Sequence, residues 1–433
     1  MTRVRTAVVL ALALRASAAK SDVAGAAIRF GSAVEFARPP DVVATAPALG
    51  KGAGTSEVWS SACSFRHPLC VYAPSATPGA RLLAALSSGE RAWDSLDGAL
   101  SWTPPDTDLE GPFRVYFTPN VTGGAAAVLN ELDPRAHFDS ATSFGLIDLA
   151  TAPGCALDFG MARALASASL ARAVPATDDG SACAQVEALA HLAVPCADVR
   201  GDAFEFQSHP ERALVDPSSG AFDRGAALFF DWLDARFGRE PGGLLLGLWA
   251  LAPTRTPPGA WRWSASPTTF DVLRATLAGA LSAGSTLDDV VVRFAVERAR
   301  MTPAVRLAWH VAWPEGARRL ASPEPVAPTG ASYVVVDRSA APPGAKLRVE
   351  AQWEDYGRMR WVVVKLDAAG RAMAEVPITS LDRGTRASLT VESLDDVDRV
   401  LIVGANVGST EHPFNPEQTE WEPHGWLLTL AAE

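Results

Sequence analysis

The chain is short of lysine. Only Lys20, Lys51, Lys346 and Lys365 occur, although lysine and arginine together number 38. No block of basic residues is present, and 49 acidic residues bring the formal net charge to −11. A nucleic-acid surface needs clustered cations, so that class of partner is excluded. The arginine preference, with abundant alanine, reads as the codon bias of a GC-rich bacterium and carries no mechanism. Long apolar runs are also missing. Leu244–Leu251 is very apolar but too short to span a bilayer, and it reads as a buried helix. No G-x-S-x-G elbow and no phosphate-binding glycine loop is found, which removes two common signatures of catalysis.

What is present is an ordinary globular composition over 433 residues, 48% hydrophobic and 20% charged, enough for two or three domains. Residues 1–19 read as a signal peptide. Arg3 and Arg5 form a short positive region, Ala7–Leu14 an apolar run, and Ala16-Ser17-Ala18 fits the small-x-small cleavage rule. No cysteine follows for a lipid anchor. The expected location is therefore exported, periplasmic or extracellular. The five cysteines agree, because an oxidising compartment lets disulfides persist. Cys63 and Cys70 flank a small loop. Cys155 and Cys196 stand at the open end of an expected helical hairpin, where a bridge would close about 40 residues and contribute on the order of 3–4 kcal/mol. Cys183 is left as the odd thiol.

Residues 20–56 read as a loosely ordered leader. Strands are expected at His67–Tyr72, Phe113–Phe117 and Phe144–Leu149, and a helix at Gly79–Leu96. The hairpin follows: Ala156–Ala171 and Ser181–Ala193, joined by the turn Thr177-Asp178-Asp179-Gly180. Further helices are expected at Asp223–Phe237, Thr269–Leu281 and Leu287–Met301, the last capped by Ser285 with Asp288. From Ala331 onward seven short runs alternate with turn signals, the pattern of a β-sandwich of roughly 100 residues. The fold class is thus α+β: a mainly helical domain at 57–320 with a small N-terminal sheet, a proline-rich linker at 321–330, and an all-β sandwich at 331–433.

The order of elements in 57–320 resembles a family of secreted zinc metalloproteases of the gluzincin type. The resemblance rests on Phe65–Tyr72, Glu90-Arg91-Ala92-Trp93, Pro104-Pro105-Asp106, Phe113–Phe117, and Phe144–Leu149 just before a helix. It continues through Asp179-Gly180-Ser181-Ala182, Gly225–Phe237, and Arg399–Val403 with Asn406. In that family one helix carries HExxH, two histidines binding zinc beside a glutamate general base, and the next helix supplies a third ligand in an E-G-x-A setting. This chain has no HExxH. Its corresponding helix offers only Cys155 and Asp158, and the E-G-x-A position reads Asp179-Gly180-Ser181-Ala182. The resemblance therefore implies a pseudo-protease with no catalytic residue carried over. It also implies a cleft beside an edge strand, for which Phe113–Phe117 is the candidate.

Other chemistry is thin. Glu187 and His191 lie one turn apart and, with Asp178 or Asp179, could make a carboxylate–histidine set; the same pair also reads as a helix-face ion pair. His209, His310, His412 and His424 have no ligand spacing. Arg200-Gly201-Asp202 is too short a match to read as more than a turn. Trp353, Trp361, Trp421 and Trp426 could stack on sugars or peptides, or pack the sandwich core. Asn415, Glu417, Glu420 and Glu422 could hold calcium, or form a solvated loop. The leading expectation is an exported, non-catalytic, metalloprotease-like protein with a binding or structural envelope role and no cofactor. The alternatives are a hydrolase with a non-standard site, where alone zinc enters, and a carbohydrate- or peptide-binding protein acting through the sandwich. The partner would be an unknown protein, peptide or glycan, with no nucleic acid and no membrane span.

Overall fold

The computed structural model describes residues 26–29, 59–99, 102–105, 112–118, 125–130, 142–174, 179–196, 200–214, 220–251, 269–278, 281, 285–306, 309–355, 357–378, 384–408 and 423–433. The chain is an α+β protein that divides into two compact units. Unit 1 comprises residues 1–198 and 217–276; unit 2 comprises 199–216 and 277–433. The signal peptide, most of the leader and Asp178 lie outside the described residues. Among those residues no helix is long and apolar enough to cross a membrane.

Unit 1 is built on a six-stranded sheet. Its strands are β1 (Ala26–Arg29), β2 (Trp59–Cys63), β3 (Leu69–Pro74), β4 (Phe113–Thr118), β5 (Ala125–Asn130) and β6 (Thr142–Asp148), in the spatial order β1-β5-β6-β4-β3-β2. The β3–β4 and β4–β6 pairs are parallel and the others antiparallel. Phe113–Phe117 is therefore central, flanked by β3 and β6, and is not the edge strand expected. Its alternate side chains serve both faces, so Phe113, Val115, Tyr116 and Phe117 are all buried, with Arg114 and Thr118 only partly so. On one face Tyr116 packs edge-on against Trp59 and Phe144 and stacks on Tyr72. On the other, α1 (Gly79–Asp94) and α2 (Cys155–Ala173) cover the strands. The helix sits close because Gly145 has no side chain; a Cβ there would stand 3.0 Å from Val115 and 3.3 Å from Ala164.

Helix α2 is buried on every side from Gly160 to Ala171, and α3 (Asp179–Ala193) is buried from Ser181 to Ala190. Neither has a polar face, which is the mark of a helix inside a core rather than on its surface. Alanine and serine dominate both, so the backbones approach closely. Cys155–Cys196 bridges their open end, as Cys63–Cys70 bridges the β2–β3 turn; Cys183 is a buried thiol. Beyond α3 the expected single helix Asp223–Phe237 is two, α5 (Gly220–Gly225) and α6 (Ala227–Phe237), after the short α4 (Arg200–Ser208). Next come α7 (Gly243–Leu251) and α8 (Thr269–Leu277), the latter four residues shorter than expected.

Unit 2 holds α4, α9 (Leu287–Arg298) and nine strands: β7 (Trp309–Ala312), β8 (Arg318–Ala321), β9 (Ala331–Asp337), β10 (Leu347–Trp353), β11 (Met359–Leu366), β12 (Ala372–Ile378), β13 (Arg386–Val391), β14 (Arg399–Asn406) and β15 (Trp426–Ala432). They form two sheets, β13-β10-β15-β8 and β12-β11-β14-β9-β7. All seven strands expected after Ala331 are there, but β7 and β8 precede them. Val326, inside the supposed linker, is fully buried and bridges to His424. The sandwich thus begins before the proline-rich segment, and the units divide near residue 277. Val336, Val363 and Ile402 from one sheet meet Val349, Leu428 and Leu430 from the other. The outer face of the five-stranded sheet is covered by α9 through Ala295 and Val296. The cap of α9 is one residue later than expected: Thr286 donates its amide and hydroxyl to Asp289, at 2.6 and 3.0 Å. Asp288 instead pairs with Arg358 at 3.0 Å.

Trp361 packs edge-on against Trp426 with ring centroids 5.6 Å apart, and lies across Gly404 of the neighbouring strand. A Cβ at Gly404 would fall 2.7 Å from the Trp361 ring. Gly404→Ala should therefore overpack the core and cost about 1–3 kcal/mol. Urea unfolding at equilibrium measures this, and an unchanged midpoint would contradict the packing described.

Candidate functional site

Where α2 and α3 cross, one ion pair is enclosed. Arg163 Nε of α2 lies 2.7 Å from Glu187 Oε2 of α3, with the side chains 9% and 3% exposed. One turn later His191 turns towards the surface. Its Nε2 is 3.9 Å from Glu187 Oε1, and its Nδ1 is 3.4 Å from Asp231 Oδ2 on α6. The ring of Phe159 stacks on the imidazole at 5.2 Å. Three helices thus contribute to a chain Arg163–Glu187–His191–Asp231. It is graded in exposure, from the buried guanidinium of Arg163 to the partly buried carboxylate of Asp231, 33% exposed. Asp231 is held above the ordinary aspartate range by burial, with His191 pulling it down and Asp234 pushing it further up.

Sequence reasoning found Glu187 and His191 and missed Arg163 and Asp231. An arginine in an alanine-rich helix was the available signal, since a charge at a buried position has to be met by another. Asp179 opens α3, and its side chain, like all of Asp178, lies outside the described residues. The pairing of Glu187 with His191 is present, but Glu187 is closer to Arg163.

A single metal ion does not fit these donors. Glu187 and Asp231 address opposite nitrogens of one imidazole, so they do not converge on a point. Of the two ligand candidates on α2, Cys155 is in a disulfide and Asp158 is paired with Arg91 at 2.6 Å. Among the described residues no group of three or more His, Cys, Asp or Glu side chains is arranged to hold a metal. At 3.9 Å Glu187 Oε1 is beyond hydrogen-bond reach of His191 Nε2, so the arrangement offers a single imidazole–carboxylate hydrogen bond, His191 Nδ1 to Asp231 Oδ2, beside the buried Arg163–Glu187 pair.

The remaining candidates separate cleanly. Trp361 and Trp426 are core residues, at 2% and 4% exposure, so neither is a stacking platform. Trp353 is half-buried against the same core. Trp421, Asn415, Glu417, Glu420, Glu422 and His412 lie outside the described residues. Arg200-Gly201-Asp202 opens helix α4 and is not a loop. His424 pairs with Glu354 at 3.1 Å, and His209 lies between Glu205 and Glu211 at 3.6 and 3.2 Å.

No family model matches the chain. No curated protein matches it either. Among solved structures, it is similar to the pre-peptidase C-terminal domain of a collagenase from Bacillus anthracis. That match covers 30% of this chain and 97% of that one, at 7% identity and a TM-score of 0.19. The enzymatically active domain of bacteriophage CBA120 tailspike protein 4 is similar over 28% of this chain and 18% of its own, at 10% identity and 0.18. A CBM4 structure is similar over 27% of this chain and 82% of its own, at 16% identity and 0.16. At these scores none of the three carries an argument about function.

Two outcomes are expected. Glu187→Gln leaves Arg163 charged and buried without its counter-ion, and should cost about 3–5 kcal/mol, whereas Arg163→Met with Glu187→Leu together should cost far less. Denaturant unfolding of the three proteins checks this; equal losses would mean the ion pair is immaterial. Because Asp231 titrates above its unfolded value, its contribution is complete below the ordinary aspartate range and is lost as pH rises through its folded pKa. Asp231→Asn should remove that loss, flattening the thermal-stability profile above pH 4. A variant whose slope matches the parent would refute the assignment.

Proposed function

We propose that this chain is an exported, non-catalytic relative of the gluzincin-type metalloproteases that acts by binding, or as a structural component of the envelope. The observation that carries the reading is how the two central helices are joined. In the family that unit 1 resembles, zinc would tie them. Here Cys155–Cys196 and the buried Arg163–Glu187 pair occupy that structural role and use the side chains that could have served a metal. Two disulfides are consistent with an extracellular or periplasmic protein.

A hydrolase reading retains one point in its favour, the His191 imidazole hydrogen-bonded to the Asp231 carboxylate. Binding of a peptide or glycan through the sandwich loses the argument from tryptophan. It keeps the outer face of the four-stranded sheet, where Arg348, Glu350 and Gln352 alternate with buried neighbours along β10.

Elemental analysis of the purified mature protein, with a peptidase assay on unfolded casein, discriminates. Zinc well below stoichiometry and no hydrolysis are expected. Stoichiometric zinc that disappears in Asp179→Ala or His191→Ala would overturn the non-catalytic reading.

A further inference from the structure

The turn between β2 and β3 is tied down on both sides of one residue. Cys63 and Cys70 face each other across the two strands and are joined by the disulfide. Beyond that bridge Ser64 donates its amide to the Leu69 carbonyl at 2.8 Å. The Ser64 hydroxyl donates to Glu90 of α1 at 2.5 Å and accepts the amides of Arg66 and His67 at 3.0 and 3.1 Å. One guanidinium nitrogen of Arg66 donates to both oxygens of Asp94, at 3.1 and 2.8 Å. His67 meets the same carboxylate at 2.9 Å and stacks on Trp93. The Pro68 carbonyl accepts the Phe113 amide of β4 at 2.7 Å. Between Ser64 and Arg66 stands Phe65, whose exposure is 106%.

A single apolar residue on a surface needs no explanation. A fixed loop that ends in one is a different matter. Ordering this turn costs conformational entropy, and the aromatic ring at its tip stays in water, where it adds nothing to the core. What the ordering provides is a side chain presented on a backbone that is already set. Association then has little left to order, which is how preorganised loops bind tightly.

We propose that Cys63–Cys70 is a reactive-site loop that inhibits an aromatic-specific serine endopeptidase, with Phe65 filling the enzyme's primary specificity pocket. Such a pocket is an apolar slot that takes one large side chain, and the enzyme attacks the carbonyl carbon of that residue. The serine oxygen would form an ester with Phe65 as the bond to the Arg66 nitrogen breaks, and that nitrogen would leave as an amine carrying the proton given up by the serine. From a flexible substrate the amine diffuses away and water takes its place. Here it cannot leave. Arg66 is held by Asp94 and by the Ser64 hydroxyl, and the disulfide keeps both limbs of the loop together. The amine therefore attacks the ester, restores the peptide bond and returns the proton to the serine. Arg66 itself is not the residue read, because its guanidinium is turned back onto Asp94. The loop uses none of the contacts between α2 and α3, so the inference does not depend on the descent proposed for unit 1.

The test is inhibition of α-chymotrypsin by the purified mature protein with its disulfides intact, read as hydrolysis of a chromogenic peptide anilide ending in phenylalanine. Saturable, competitive, one-to-one inhibition is expected, with trypsin unaffected. Phe65→Ala should weaken it about a hundredfold, the loss typical of removing a central anchor. Phe65→Lys should lose chymotrypsin and gain trypsin. Because Phe65 is fully exposed, both variants should unfold at the parent's midpoint, which separates a lost contact from a lost fold. Asp94→Asn should inhibit at first and then be cut after Phe65, so that its inhibition decays while the parent's persists; a lasting Asp94→Asn inhibitor would overturn the anchoring role of Arg66. The proposal fails if the parent does not inhibit chymotrypsin at micromolar concentration, or is cut after Phe65 as an ordinary substrate. It fails equally if trypsin is inhibited instead, or if Phe65→Lys inhibits chymotrypsin as the parent does.

Discussion

The enclosed contact between Arg163 and Glu187 fixes the centre of unit 1. Helices α2 and α3 are buried all round and made largely of alanine, so shape alone gives them little reason to choose one rotation over another. The ion pair supplies the reason. Any other register would strand two charges in apolar surroundings, and that penalty is far larger than the pair's own net contribution. Once the helices are set, the Phe159–His191 stack and the approach of Asp231 follow from the positions α3 and α6 must take. The disulfide at the open end acts differently. It narrows the unfolded ensemble and leaves the register to the charges.

This division of labour explains why the helices tolerate so plain a sequence. In a metal enzyme a zinc ion would orient side chains on both helices and so fix their register as well. A charge pair inside the core and a covalent bridge at its rim cover both tasks without an ion. Small residues along α2, Ala164 among them, let β6 come close at Gly145.

Much of this was legible in the sequence. The two disulfides, the hairpin and the seven strands of the later sandwich all follow from cysteine placement, helix formers and alternation. Three strands of the first sheet were not: β1 lies in the stretch read as a loosely ordered leader and pairs with β5. The run Ala125–Asn130 has no aromatic and one β-branched residue, so its strand character comes from pairing with β6 rather than from propensity. Trp59–Cys63 is held by β3 and by the Cys63–Cys70 bridge. The β7 and β8 strands were hidden for another reason. Each is four residues long, and they precede a proline-rich stretch whose composition suggests a linker although Val326 is in the core. At the candidate site, local spacing gave Glu187 and His191; Arg163 and Asp231 belong to other helices and only the fold brings them near.

The excursion of residues 199–216 into unit 2 has a kinetic consequence. The chain enters the second unit, returns to the first, and comes back only after residue 277. Helix α4 must therefore wait for partners made some way downstream. Phe206 and Gln207 are finally enclosed by Arg298, whose guanidinium lies 3.7 Å over the Phe206 ring and donates from Nε to the Gln207 side-chain oxygen at 2.9 Å. Until α9 is available, that apolar face is exposed. Neither unit is complete as a continuous stretch of chain, so cutting the gene near residue 277 would not yield two independent folding pieces. Contacts this distant in sequence slow folding and lengthen the exposure of sticky intermediates. A chain threaded in this order gains cooperativity between its halves and depends on protection while it is being assembled.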